Sequence, residues 1–361
     1  MSENSTMSWK NTLLIGISKL FSTSKNEVKD PARPRILVVS TTGLGDSLWG
    51  TPAVRALKTR FPKSYLALLT SPIGSALYQN NPHLDEIITL DNPALPSCRK
   101  LLSPLKKKNF EIALIFHLSQ RPVLPFVTLC KPSQIIGTNG INKGLDRLLT
   151  SPLDPSYEHE IERRLKIAEA IGAPPNGREM EIFLTSDEQK TIKDFLKNAS
   201  FPIGIHPGAK DRYKQWAPAH FANLGKRLQE EYGAQVFVTG SQEEIPLAEK
   251  VADQISGALS VAGKFSVRLT AALIQQFKIF LANDTGPMHL AYAVKTPTFS
   301  LFAPTDPNLC GPYQIDHARY IQKKPTCSPC IGKKCRVPFC LEQITELEAW
   351  NQIKELIEIY N

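Results

Sequence analysis

The sequence predicts an α/β protein of two tandem domains, each a parallel sheet with helices on both faces. Three observations predict it. The chain of 361 residues is long enough for two cores of ordinary size. Short, continuously apolar runs alternate with amphipathic helical stretches, as in strands buried on both faces. That alternation begins at Arg35 and starts again at Pro202. The two halves share a layout without a detectable sequence repeat, so each reads as a Rossmann-like domain.

The elements follow in order. In residues 9–21, WKNTLLIGISKLF, Trp9, Leu13, Leu14, Ile17, Leu20 and Phe21 share one helical face, with Lys10, Asn11, Ser18 and Lys19 off it. The apolar stretch is interrupted and no small-residue cleavage site follows, so a cleaved signal peptide is not expected. The helix either lies in an anionic membrane interface or packs on its own protein. Ser22–Pro34 is a polar linker. Ile36–Ser40, Tyr65–Thr70, Glu86–Leu90, Ile112–His117 and Gln134–Gly137 read as strands, with one helix running from after Gly45 toward Arg60. Glu158–Ile171 and Asp187–Asn198 are charged amphipathic helices. In the second half, strands are expected at Ile203–His206, Gln235–Thr239, Leu259–Ala262, Ile279–Ala282 and Thr298–Phe302. Helices are expected at Ala219–Tyr232, Glu244–Ile255, Val267–Phe277 and Met288–Val294. The resulting division is an extension and linker over 1–34, domains over 35–185 and 186–343, and a last helix over 344–361.

Composition narrows the functions. Hydrophobic residues make up 42% and charged ones 21%, which excludes wholesale disorder. No apolar run approaches the roughly 20 residues that span a bilayer. The formal charge of +9 favours anionic partners. Of seven cysteines, Cys98, Cys130 and Cys310 are scattered and read as buried apolar residues. Cys327, Cys330, Cys335 and Cys340 cluster, with two, four and four residues between them. That spacing admits a structural zinc, while an iron–sulfur cluster or two disulfides has the same cysteine count. The cysteine usage fits a reducing cytoplasm.

Four segments at strand ends carry chemistry, where open parallel sheets bind ligands. Thr41-Thr42-Gly43-Leu44-Gly45-Asp46 follows the first strand. Its glycines allow a tight turn, but their spacing fits neither a dinucleotide fingerprint nor a P-loop. Asp46 sits where a helix N-cap would, and reads either as a cap or as a carboxylate that takes a proton from an attacking hydroxyl. Gly204-Ile205-His206-Pro207-Gly208-Ala209 precedes Lys210, Arg212 and Lys214. A glycine turn beside three cations suits a diphosphate, although a solvated basic loop has the same composition. Ala282-Asn283-Asp284-Thr285-Gly286-Pro287 leads into a helix whose N-terminus could hold a phosphate without metal. Asp284 could equally cap that helix, and His289 reads at least as well as a core residue. Thr239-Gly240-Ser241-Gln242-Glu243-Glu244 offers either an acid for a ribose or a plain acidic helix start.

Together these segments resemble glycosyltransferase family 9, the ADP-heptose:lipopolysaccharide heptosyltransferases. The resemblance runs from about Arg35 to Leu341. It rests on ILVVSTTGLGDSLWGTPAVRALKTRFP, GIHPGAKDRYKQWAPAHFANL, VFVTGSQEE and ANDTGPMHLAYAVKTPTFSLFAPTDP. It implies a GT-B fold of two Rossmann-like domains facing across a cleft. It also implies an ADP-heptose donor and a lipid A–inner core acceptor, met at the inner face of the cytoplasmic membrane. By that resemblance Asp46 is the catalytic base, on an acceptor-side loop with Gly43 and Gly45. Lys214 contacts the donor diphosphate, and Asp284, Thr285 and Gly286 hold the donor sugar and phosphates. Glu244 or Glu243 lies by the ribose, with His206 and Gly208 on the donor side. Some members carry two threonines where this chain has Ala209-Lys210, so hydroxyl contacts are not expected there. There is no DxD motif, so the expected reaction is an inverting transfer that needs no cofactor. The rival readings are a transferase or epimerase of another sugar nucleotide and a non-catalytic nucleic-acid binder. Against the last, the cations sit among glycines at strand ends, with no aromatic–basic interleaving to stack bases.

Overall fold

The computed structural model describes residues 11–12, 14–16, 28–336 and 339–360. The chain divides into two compact units, Met1–Arg178 and Glu179–Asn361. That division falls ahead of the expected 185/186 boundary, within residues 173–185, which carry no regular secondary structure.

Unit 1 holds β1 (Arg35–Ser40), β2 (Tyr65–Thr70), β3 (Glu86–Thr89), β4 (Ile112–His117), β5 (Gln134–Thr138) and β6 (Ser151–Leu153). They form one parallel sheet in the order β3-β2-β1-β4-β5-β6. Leu37, Val39, Ala67, Leu69, Ala113 and Ile115 share one core on one face. The alternate residues Ile36, Val38, Leu66, Leu68 and Leu114 are also buried. Burial on both faces is why these strands read as unbroken apolar runs.

The single helix expected between Gly45 and Arg60 is two, Leu44–Trp49 and Thr51–Arg60, broken at Gly50. Pro52 has no N–H to give the Leu48 carbonyl, and the Thr51 hydroxyl donates to it instead at 2.8 Å. A Cβ on Gly50 would lie 2.7 Å from the Tyr78 hydroxyl oxygen, so only glycine lets Tyr78 pack there.

Unit 2 holds β7 (Pro202–His206), β8 (Gln235–Val238), β9 (Leu259–Ser260), β10 (Phe280–Asn283), β11 (Thr298–Phe302) and β12 (Ala318–Gln322). Their order is β12-β11-β10-β7-β8-β9, again all parallel. Numbered within its own unit, each sheet runs 3-2-1-4-5-6, the doubly wound Rossmann order. Its topological switch point lies between β1 and β4 in unit 1 and between β7 and β10 in unit 2. The last helix, Glu346–Tyr360, is part of unit 2: Trp350, Ile353, Leu356 and Ile357 share a core with Ile203, Leu281 and Leu301.

Of the N-terminal amphipathic stretch, the described residues are helical and pack on unit 1. Ile15 joins its core, and Asn11 Nδ2 donates to the carbonyls of Lys143 and Gly144 at 3.2 and 3.4 Å. Leu14 packs against the same core. Trp9, Leu13, Ile17, Leu20 and Phe21 lie outside the described residues. Among the described residues no helix is long and apolar enough to cross a membrane.

Candidate functional site

In unit 1 the switch point gathers Asp46, His117, Thr42 and Arg164. The loop after β1 turns into the Leu44–Trp49 helix with Gly43 as its N-cap, so Asp46 is not the cap but lies in the first turn. Its carboxylate makes no capping bond. Instead Asp46 Oδ1 accepts from Arg164 Nη2 at 3.2 Å and lies 3.7 Å from His117 Nδ1. The capping alternative therefore fails. A carboxylate in the first turn still gains from the helix dipole, while its orientation is set by a residue 118 positions away.

Arg164 lies on the helix Glu160–Glu169, and its side chain is fully buried. It donates to the Glu160 carbonyl at 2.8 Å and also pairs with the Glu160 carboxylate, while its guanidinium lies over the Trp49 ring. Arg163 pairs with the same carboxylate at 2.6 Å and donates to the Phe116 carbonyl at 2.9 Å. Burial alone would raise the Glu160 pKa, but Arg164 and Arg163 outweigh it and hold it at about 2. The two arginines thus face two carboxylates, Glu160 and Asp46. His117, at the end of β4, holds Thr42 Oγ1 at 3.1 Å through Nδ1. Burial lowers its pKa, against the pull of Asp46 and with the help of Arg164 and Arg163. The imidazole beside Asp46 is therefore neutral at pH 7. A Cβ on Gly43 would have nothing within 4 Å, so the loop is open on that side. Gly45 follows in the first turn.

In unit 2 the switch point gathers Lys214, Asp284 and Asn283. Lys214, in the turn Arg212–Lys214, places Nζ 2.6 Å from Asp284 Oδ2. Burial would lower the Lys214 pKa, but Asp284 outweighs it and the net shift is upward, so the ammonium stays charged. Asp284, just after β10, is 8% exposed and does not cap the helix that follows. That helix, Gly286–Ala293, has Thr285 as N-cap with no side-chain capping bond, and Pro287 in its first turn. Thr285 and Gly286 are half-buried. Its first N–H groups have no partner within the helix, and with the half-buried Lys214 ammonium paired to Asp284 they form the kind of surface that suits a phosphate. His289 is buried edge-on to Tyr292 and belongs to the core.

The end of β7 and the loop after β8 are knit separately. His206 Nδ1 lies 3.0 Å from Thr239 Oγ1, and His206 Nε2 lies 3.9 Å from Glu244 Oε2. Burial lowers the His206 pKa, against the pull of Glu244. Glu244 also accepts from the Ser241 N–H at 2.8 Å, closing a capping box over Gln242–Glu244. The Glu244 carboxylate packs against Gly208: a Cβ there would lie 2.1 Å from Oε1 and would push the carboxylate aside. Glu243 is exposed and is not brought into this group. Cys327, Cys330, Cys335 and Cys340 line a cavity away from these pairs, against Tyr213.

Three residues at these sites were not singled out from sequence. Asn283 is fully buried at the end of β10. Its side chain accepts from the Trp216 N–H at 3.1 Å and donates to the Pro207 carbonyl at 2.8 Å, tying the loop after β7 to β10. An asparagine closing an apolar strand was the available signal. His117 ends a strand in the same way. Arg164 had none, because its partner Asp46 lies far away in the chain.

Comparison with known proteins identifies the family and the fold. The family model for glycosyltransferase family 9 (heptosyltransferase) matches residues 99–340. The chain is 22% identical to the lipooligosaccharide heptosyltransferase 2 of Campylobacter jejuni serotype O:6, over 89% of this chain and 99% of that protein. It is 25% identical to the lipopolysaccharide heptosyltransferase 3 of Escherichia coli K12, over 78% of this chain and 87% of that protein. Among solved structures, the family 9 glycosyl transferase of Veillonella parvula superposes with a TM-score of 0.81 at 20% identity, over 90% of this chain and 97% of that one. The E. coli ADP-heptose lps heptosyltransferase II superposes with a TM-score of 0.75 at 21% identity, over 90% and 98%. The likeness shows the GT-B fold, and with the family match it shows that the chain belongs to glycosyltransferase family 9 and is a glycosyltransferase.

Proposed function

We propose that this enzyme transfers heptose from ADP-heptose to a hydroxyl of the lipopolysaccharide inner core, inverting the anomeric centre without a metal ion. The observation that carries the reading is the pairing at each switch point: Asp46 held by Arg164 in unit 1, and Lys214 on Asp284 in unit 2. In the donor half, the Lys214 ammonium and the N-terminus of the Gly286–Ala293 helix neutralise the diphosphate as it leaves. Asp284 keeps the ammonium charged and aimed. Glu244, turned toward His206, is the acid offered to the ribose, and Glu243 plays no part.

In the acceptor half, both contacts to Asp46 use Oδ1, which leaves Oδ2 to accept the proton of the attacking hydroxyl. A neutral His117 beside it adds no competing positive charge. The proton moves late, as the oxygen bonds to the anomeric carbon and the bond to ADP breaks. The relatives support donor and acceptor class, since those compared are heptosyltransferases of lipopolysaccharide or lipooligosaccharide. The net charge of +9 supports work at an anionic membrane surface, on the cytoplasmic face.

The test is the product's anomeric configuration, read by NMR after reaction with and without excess chelator. An inverted linkage is expected in both, with no gain in rate when magnesium is added after the chelator. Retention, or activity lost in chelator and restored by magnesium, would contradict the mechanism.

A further inference from the structure

The stretch 92–110 contains Arg99, Lys100, Lys106, Lys107 and Lys108 and no acidic residue. Most of it forms the helix Ala94–Lys107 in unit 1. One side of that helix is apolar: Ala94, Cys98 and Leu105 are buried in the unit 1 core, and Leu101 and Leu102 pack against it. With 3.6 residues per turn, the opposite side gathers Leu95, Arg99, Lys100, Ser103 and Lys107, all of them exposed.

These cations differ from others in unit 1. Lys58 pairs with Asp85 at 2.8 Å, Lys108 with Glu86 at 2.7 Å and Arg163 with Glu160 at 2.6 Å. Among the described residues Arg99, Lys100, Lys106 and Lys107 make no ion pair. The negative end of the helix favours Lys106 and Lys107 in the last turn. It gives no reason for Arg99 and Lys100 near the middle. A face that collects cations without acids is complementary to a surface of fixed negative charge. Leu95, 65% exposed in the first turn, adds an apolar side chain to the same face. The helix has no aromatic residue on which bases could stack, so lipid fits this face better than nucleic acid.

We propose that the exposed face of the helix Ala94–Lys107 docks on an anionic phospholipid surface. Arg99, Lys100, Lys106 and Lys107 meet the headgroup phosphates, and Leu95 enters the edge of the acyl region. A buried stripe on one side and cations with an apolar residue on the other is what a helix lying along a membrane needs. The placement suits the chemistry. Gln120, in the loop after β4, accepts from the Ala94 N–H at 3.1 Å and donates to Asn92 at 2.8 Å. In the same loop the Ser119 N–H donates to Thr41 Oγ1 at 3.0 Å. The start of the helix is thus tied to the strand ends that carry Asp46, and docking brings that end of unit 1 to the membrane. The inference deepens the proposed function, and rests on it for the claim that the acceptor is anchored in lipid.

The full chain is floated with vesicles of phosphatidylethanolamine and phosphatidylglycerol, and separately with vesicles of phosphatidylcholine alone. Binding to the anionic vesicles only, weakening as salt is raised, is expected. Each cation at such a surface strengthens binding about fivefold, so Arg99→Gln/Lys100→Gln should weaken it roughly ten- to thirtyfold. Lys190→Gln/Lys193→Gln removes the same charge from exposed positions in unit 2 and should leave binding nearly unchanged. Leu95→Gln should weaken it roughly three- to tenfold, through the lost apolar contact. No binding to anionic vesicles, or an equal loss in both double variants, would overturn the docking face. Leu95→Gln without effect, together with single-stranded RNA competing at equal charge, would overturn lipid as the occupant. The vesicles carry no acceptor and no sugar nucleotide is present, so failure of the heptosyl-transfer reading would leave the binding result standing.

Discussion

Asp46 shows why a residue's role is set by neighbours that sequence proximity does not reveal. Its place after β1 alone favours a cap over a base, yet Gly43 takes the cap. What holds the carboxylate is Arg164, and a buried arginine on a later helix carries no local signal. Asp46→Asn keeps the shape but removes the proton acceptor, so kcat should fall by about 10²- to 10⁴-fold with ADP affinity unchanged. Steady-state kinetics beside ADP calorimetry measures that split. Lys214 has the opposite signature. Lys214→Ala removes the ammonium and leaves Asp284, 8% exposed, without its cation. ADP affinity should fall by roughly ten- to a hundredfold; an unchanged affinity would remove Lys214 from the diphosphate. The cationic loop and the Asp284-Thr285-Gly286 turn were legible because glycine and charge at strand ends are local patterns. Asn283 and His117 were not, since each matters through a bond made across the sheet.

At the scale of elements, the apolar runs of the central strands could be read because burial on both faces leaves no alternation to obscure them. β6 and β12 could not. β6 is three residues at a sheet edge, two of them exposed, with Pro152 in the middle, and β12 buries only Ala318 and exposes Tyr320 and Gln322. The Gly50 break was hidden because Tyr78, from another helix, demands it. The Glu160–Glu169 helix carries a pH prediction. The Glu160 carboxyl is held at about 2, below its ordinary 4.5. A depressed folded-state pKa gives stability that is complete above pH 4.5 and lost as the pH falls toward 2. Arg164→Met should destabilise unit 1 by about 1–3 kcal/mol near neutral pH, because it leaves Asp46 without its arginine and Glu160 with Arg163 alone. It should also flatten that acid dependence. Denaturant melts across pH read both, and an unchanged acid slope would dissociate Glu160 from Arg164. In β7, a Cβ on Gly204 would lie 2.4 Å from the Phe277 ring. Gly204→Ala should therefore cost about 1–3 kcal/mol by overpacking, seen as a lower melting temperature for unit 2.

At the scale of the whole molecule, one strand order is used twice, and on the proposed reading the two units divide the labour of a bisubstrate reaction, unit 2 being the donor half. Each unit places its chemistry at its own switch point, where strands leave in opposite directions and open a crevice. The last helix and the cysteine motif both belong to unit 2, so the donor half carries the additions. The doubly wound class was legible from alternation alone, while the connection near Arg178 has no periodicity by which to fix a boundary to the residue. The central claim is that the paired switch-point sites move heptose from ADP to a lipopolysaccharide core. Its most direct test is the mass of a lipid A–inner core acceptor after incubation with ADP-heptose, or with UDP- or GDP-sugars. The account predicts the gain of one heptosyl residue with ADP-heptose alone, absent in Asp46→Asn. Transfer from a UDP- or GDP-sugar instead, or undiminished transfer by Asp46→Asn, would contradict it.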